Sequence, residues 1–74
     1  MAVSYKKLWK LLIDKDMKKK DLCIVAGISH ASVAKLGKNE NVTMEVLVKI
    51  CTALKCDIGD IVEFIPIERG MNDD

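Results

Sequence analysis

The stretch from Lys19 to Lys38 constrains this chain most. It reads as two short apolar-patterned runs joined through Ala26-Gly27-Ile28-Ser29, a turn that leaves little choice of geometry. Leu22, Cys23, Val25 and Ala26 are the apolar positions of a first helix over Lys19 to Ala26. Gly27 takes the left-handed conformation that ends it, Ile28 turns inward, and Ser29 caps a second helix over His30 to Lys38. Val33 and Leu36, three residues apart, point the second helix inward. Leu22, Ala26, Val33 and Leu36 form one seam, and Cys23 is small where the helices cross. Gly37 and the run Lys38-Asn39-Glu40-Asn41 read as the helix end and a solvent loop.

The flanking sequence supplies a core for this pair. Tyr5, Leu8, Trp9, Leu11, Leu12 and Ile13 fall on a broad arc of a helix from Tyr5 to Asp16 with Ser4 as its cap, an arc wide enough to be covered on two sides. Thr43 caps a strongly patterned helix through Met44, Val46, Leu47, Val48, Ile50, Cys51 and Leu54, the largest contributor to the core. Asp57 caps a last helical turn over Ile58 to Val62, after which Val62, Phe64, Ile65 and Ile67 around Pro66 leave the helical pattern. Residues 69 to 74 read as a frayed acidic tail, so the expected domain is 1 to 68. With 74 residues there is material for one core only, and three aromatic residues (Tyr5, Trp9, Phe64) leave it to be built from aliphatic side chains. The fold class expected is all-α with five helices and a short C-terminal segment that can be extended.

Several function classes are disfavoured. One histidine, no carboxylate dyad at a defined spacing and no glycine-rich phosphate loop argue against an enzyme. Cys23, Cys51 and Cys56 are odd in number, lack Cys-x-x-Cys spacing and match no zinc arrangement with His30. They read as small buried hydrophobes in a reducing compartment, and no metal or other cofactor is expected. The early apolar stretch Leu11 to Ile13 is too short for a signal peptide or a membrane span, so the expected location is the cytoplasm, with no membrane partner. The net charge of +1 is divided unevenly: residues 1 to 40 carry nine lysines against four acids, net +5, while residues 41 to 74 carry three bases against seven acids, net −4. Such polarity is the footprint of a phosphate-facing side, or else of a solvated mixed exterior.

These segments resemble the Cro and lambda-repressor-like family, also called XRE, over Tyr5 to Ile65. The resemblance is carried by Asp21-Leu22-Cys23, Ala26-Gly27-Ile28-Ser29, Val33-Ala34-Lys35-Leu36 and Leu54-Lys55-Cys56-Asp57-Ile58-Gly59-Asp60-Ile61. It implies a five-helix domain that binds double-stranded DNA through a helix-turn-helix motif at 19 to 38, with His30 to Lys38 as the recognition helix in the major groove. Under that carry-over His30, Ala31, Ser32 and Lys35 face base edges, with Lys35 donating to guanine O6 and N7. Lys19, Ser29, Lys38, Asn39 and Asn41 grip phosphates and set register. Two positions depart from the usual pattern, Lys19 where many relatives carry Gln and Gly37 where many carry an acid.

One recognition helix reads only a few base pairs, so the implied regulator works as a homodimer on two half-sites about one helical turn apart. Ile61, Val62, Phe64, Ile65 and Ile67 are the candidate dimer surface, with core filling as the competing role. The expected function is a transcriptional repressor without a small-molecule effector. The alternative is a protein-interaction module, antitoxin-like or antirepressor-like, that uses the apolar arc of the first helix and the C-terminal apolar run.

Overall fold

In the computed structural model, which describes residues 1–66, the element order is β1 (Ala2–Ser4), α1 (Lys6–Asp14), α2 (Lys19–Ala26), α3 (His30–Gly37), α4 (Met44–Leu54), a single 3-10 turn (Ile58–Asp60) and β2 (Glu63–Ile65). The bounds of α2, α3 and α4 follow the sequence pattern closely. Ser29 and Thr43 cap α3 and α4 as their side chains predict, each oxygen accepting the backbone N–H three residues on, from Ser32 and Val46.

Each of the four helices stops in the same way. A residue with positive φ (Asp16 at 55°, Gly27 at 67°, Asn39 at 57°, Lys55 at 55°) reverses the chain. The next residue's N–H then donates back to a carbonyl five residues earlier: Met17 to Leu12, Ile28 to Cys23, Glu40 to Lys35 and Cys56 to Cys51. These reversals fold four short helices back on each other within loops of a few residues. At the first of them the reversal falls on Asp16 itself, so α1 ends at Asp14 rather than Asp16.

The core takes one fully buried side chain from each packed segment: Leu8 from α1, Leu22 from α2, Leu36 from α3, Ile50 from α4, and Ile61 from the chain after the 3-10 turn. Each such side chain contributes roughly 1.5–3 kcal/mol through burial. Leu22, Ala26, Val33 and Leu36 are all buried and make the expected seam, with Ile28 buried in the turn. The arc of α1 is covered more narrowly than its composition suggests. Leu8 and Leu12 are buried, Trp9 and Leu11 are half-buried, and Ile13 is 72% exposed.

Three expectations need correction. The class is mostly helical rather than all-α, because β1 pairs antiparallel with β2 in the register Ala2↔Ile65, Val3↔Phe64, Ser4↔Glu63. Ser4 therefore ends a strand instead of capping α1 in the expected way. Its hydroxyl, buried, accepts the Lys6 N–H at 3.3 Å, and Tyr5 occupies the cap position. The fifth helix shrinks to one 3-10 turn. Asp57 does cap it, accepting the Ile58 N–H at 2.7 Å, but Ile61 must drop into the core and the chain beyond Val62 must extend to meet β1. Both demands stop helical propagation. Ile67 and the acidic tail at 69 to 74 lie outside the described residues.

Candidate DNA interface

The face of α3 opposite Val33 and Leu36 is exposed at His30, Ala31, Ala34 and Lys35, with Ser32 half-buried. This follows from a helix of eight residues anchored by two inward side chains three apart: the remaining positions project outward. Lys38 continues the exposed surface beyond the helix end.

Between α2 and α3 runs an open groove lined on its rim by Lys19, Lys20, His30 and Lys38, with Cys23 and Val33 among its lining side chains. Among the described residues no acidic side chain lines it. The N-terminal lysines are not all gathered there. Lys7, Lys10 and Lys15 line a separate groove with Asp14, Lys55 and Asp60, and Lys7 donates to the Gly59 carbonyl at 3.1 Å. The basic half of the sequence thus divides into a lysine set beside α3 and another set in a charge-mixed surface away from it.

The contacts of the expected DNA-facing residues differ in what they leave available. His30 Nδ1 lies 3.6 Å from Cys23 Sγ, a contact that orients the ring on the groove rim. The Ser29 hydroxyl is spent locally: it accepts the Ser32 N–H at 3.1 Å and donates to the Ser32 hydroxyl oxygen, also at 3.1 Å. Asn39 uses its side-chain carbonyl oxygen to accept the Tyr5 N–H at 3.2 Å, leaving its NH2 group as the donor it can present. Lys35, Lys38 and Asn41 are exposed. Lys19 stands over the Trp9 ring, its ammonium 4.7 Å from the centroid.

The segment after α3, expected to be a solvent loop, is exposed yet tied down. Tyr5, 2% exposed, donates its hydroxyl to the Glu40 carbonyl at 2.7 Å while its N–H meets Asn39. Burial raises the Tyr5 phenol pKa, partly offset by a backbone hydrogen bond with Val42. The start of α1 therefore fixes where the end of α3 stands. Sequence reasoning also passed over Lys6, which lines a hollow with Trp9, Gly37 and Asn39 at the same end of α3. These contacts join helices distant in sequence, so no local pattern announces them.

A short helix seated on α2 with its outer face free and lysines on either flank is the arrangement of a DNA-reading motif. A family model for the Cro/C1-type HTH DNA-binding domain matches residues 7–66. The chain belongs to the Cro/C1-type helix-turn-helix family. Among solved structures, this Cro/C1-type chain is similar to one described as transcriptional regulator VanUg, Form II, at 59% sequence identity and a TM-score of 0.85. The match covers 89% of this chain and 88% of that one. No curated protein matches it. The match to the family is to a DNA-binding domain and spans α2, α3 and α4.

The candidate dimer residues separate on inspection of their burial. Ile61 is 0% exposed and belongs to the core, so it is withdrawn from that surface. Val62 is half-buried, while Phe64 at 68% and Ile65 at 43% stay open on the two-stranded sheet. No helix among the described residues is long and apolar enough to cross a membrane.

Proposed function

We propose that the chain is a sequence-specific transcriptional regulator, acting as a repressor in the cytoplasm, that inserts α3 into the DNA major groove as a homodimer. The observation that carries this reading is the free outer face of α3, with His30, Ala31 and Lys35 exposed while Val33 and Leu36 hold the helix down. His30, Ala31, Ser32 and Lys35 read base edges, and Lys19, Lys38, Asn39 and Asn41 hold phosphates, while Ser29, whose hydroxyl is engaged with Ser32, leaves that set. Asn39 holds its phosphate through its free NH2 group. Double-stranded DNA is the partner, with no cofactor, no small-molecule effector and no catalytic step.

Dimerisation supplies the second half-site. Val62, Phe64 and Ile65 are the surface for it, supported by the exposure of Phe64 and Ile65 on a two-stranded sheet with open edges. The same exposed side chains favour a second reading, in which this surface captures another protein and DNA binding is secondary.

The test is enrichment of bound sequences from a pool of random duplexes at two salt concentrations. An enriched inverted repeat whose affinity falls steeply with salt is the expected result. Failure to bind any duplex at low salt would refute the DNA reading and leave the protein-capture reading standing.

A further inference from the structure

Trp9 lies outside the helix-turn-helix motif, yet its ring carries the ammonium of Lys19, the first residue of α2, at 4.7 Å from its centroid. Gly37, the last residue of α3, is also close to this ammonium. A Cβ placed on Gly37 would sit 3.6 Å from Lys19 Nζ, so any longer side chain there would extend into the space around the ammonium. Three helices thus converge on one positive charge.

We propose that Trp9 and Gly37 are positioning residues for Lys19, holding its ammonium in place and leaving it unneutralised for a phosphate of bound DNA. The inference rests on the DNA-binding reading above and assigns a role to two residues that reading does not use. The face of the indole ring is negative and attracts the cation without neutralising it, so the lysine gives up side-chain freedom before DNA arrives. An ammonium has three N–H donors, and a ring on one side leaves donors for an anion on another. Among the described residues no carboxylate pairs with Lys19. The ion pair among the described residues is Lys49 with Glu45, far along α4. Asp21, the acid in the first turn of α2, accepts the Lys18 N–H at 2.8 Å and stands two positions from Lys19, off its face of the helix. The groove beside Lys19 contains Lys20, His30 and Lys38 and, among the described residues, no acid, so its electrostatic character selects an anion. Gly37 matters because an acidic side chain at that position would place a carboxylate against Lys19 and replace the phosphate.

The geometry has its own readout. In the free protein the Lys19 side-chain protons near Nζ are expected upfield in the NMR spectrum through the Trp9 ring current, and Trp9→Leu should return them to ordinary positions. Function is read by titrating the enriched duplex. Trp9→Leu should weaken binding about threefold to tenfold, and the loss should vanish when Lys19→Ala is already present. Gly37→Glu should bind about tenfold more weakly than Gly37→Gln, with a salt dependence shallower by about one released ion. In the Lys19→Ala background the gap between the Glu and Gln variants should largely close.

Losses that add between Trp9→Leu and Lys19→Ala would overturn the inference, as would a Glu–Gln gap that persists without Lys19. An ordinary shift for the Lys19 protons in the unaltered protein would do so too. The Gly37 variants remove no core side chain, so they decide the matter even if Trp9→Leu fails to fold. Absence of duplex binding by the unaltered protein would refute the DNA reading itself. Intact binding with additive losses would refute only the positioning role.

Discussion

At the scale of single residues, side chains that look equivalent in sequence are separated by what they touch. Lys35 is exposed on the outer face of α3 and makes no ion pair among the described residues, whereas Lys7 is engaged with the Gly59 carbonyl on another side. Lys35→Ala is accordingly expected to cost about 1–3 kcal/mol of specific DNA binding. Its thermal midpoint should stay close to that of the unaltered protein, because no packed atom is removed; a fluorescence titration and a melt together check both halves. Cys51 gives a second residue-scale prediction. Burial, reinforced by Cys56 beside it and by the carboxylates of Asp57 and Asp60, pushes its thiol from the ordinary 9.0 up to about 11. Between those values the unfolded chain has released the proton and the native protein still holds it, so ionisation favours unfolding. The stabilising contribution is complete below pH 9 and is lost as pH rises towards about 11. Tyr5, also raised, acts in the same direction. Denaturation midpoints followed across this window should fall less steeply for Cys51→Ala than for the unaltered chain.

At the scale of elements, the expected caps beyond α1 were legible and reversals mostly were not, while Ser4, expected to cap α1, ends a strand instead. Ser29, Thr43 and Asp57 each carry a short side-chain oxygen just before an apolar run, and all three accept a backbone N–H at a helix start. Gly27 announces a reversal because glycine alone pays no steric penalty at positive φ. Asp16, Asn39 and Lys55 adopt the same backbone without that signal. Lysine has neither the missing Cβ of glycine nor the short polar side chain of asparagine, so Lys55 is the costliest of the four. Lys55→Gly should therefore raise stability by about 1 kcal/mol, provided the reversal at the end of α4 is retained. A urea titration showing a lower midpoint for this variant would contradict the assigned cost. The strands show the opposite problem. Ala2–Ser4 is too short to display alternation, and it becomes a strand only because Glu63–Ile65 is brought alongside.

At the scale of the whole molecule, a small core leaves little reserve. Leu36 is fully buried under the proposed reading helix, and Leu36→Ala is expected to cost about 2–5 kcal/mol, a large share of the 5–15 kcal/mol typical of a domain. Circular dichroism during urea unfolding would measure it, and a loss below about 1 kcal/mol would mean that the site collapses around the smaller side chain. Phe64, at 68% exposed, lies outside that core. Phe64→Ser should keep the fold and its melting behaviour while shifting a dimer towards monomer in sedimentation equilibrium. A monomer contacts one half-site, so its salt dependence on the enriched duplex should be roughly half as steep.

The sequence by itself determined the order and capping of α2, α3 and α4, the seam of Leu22, Ala26, Val33 and Leu36, and the outward face of α3. Periodicity and caps act over a few residues, so these features are written locally. The resemblance placed the family on the same residues. Tertiary structure alone decided that Ile61 belongs to the core rather than a dimer surface and that Ile13 remains exposed. It also brought Ala2–Ser4 beside Glu63–Ile65, Tyr5 onto the segment after α3, and Trp9 under Lys19. Each of these depends on which distant side chain fills a space first, and the competition for buried volume is settled only when all the helices are packed together.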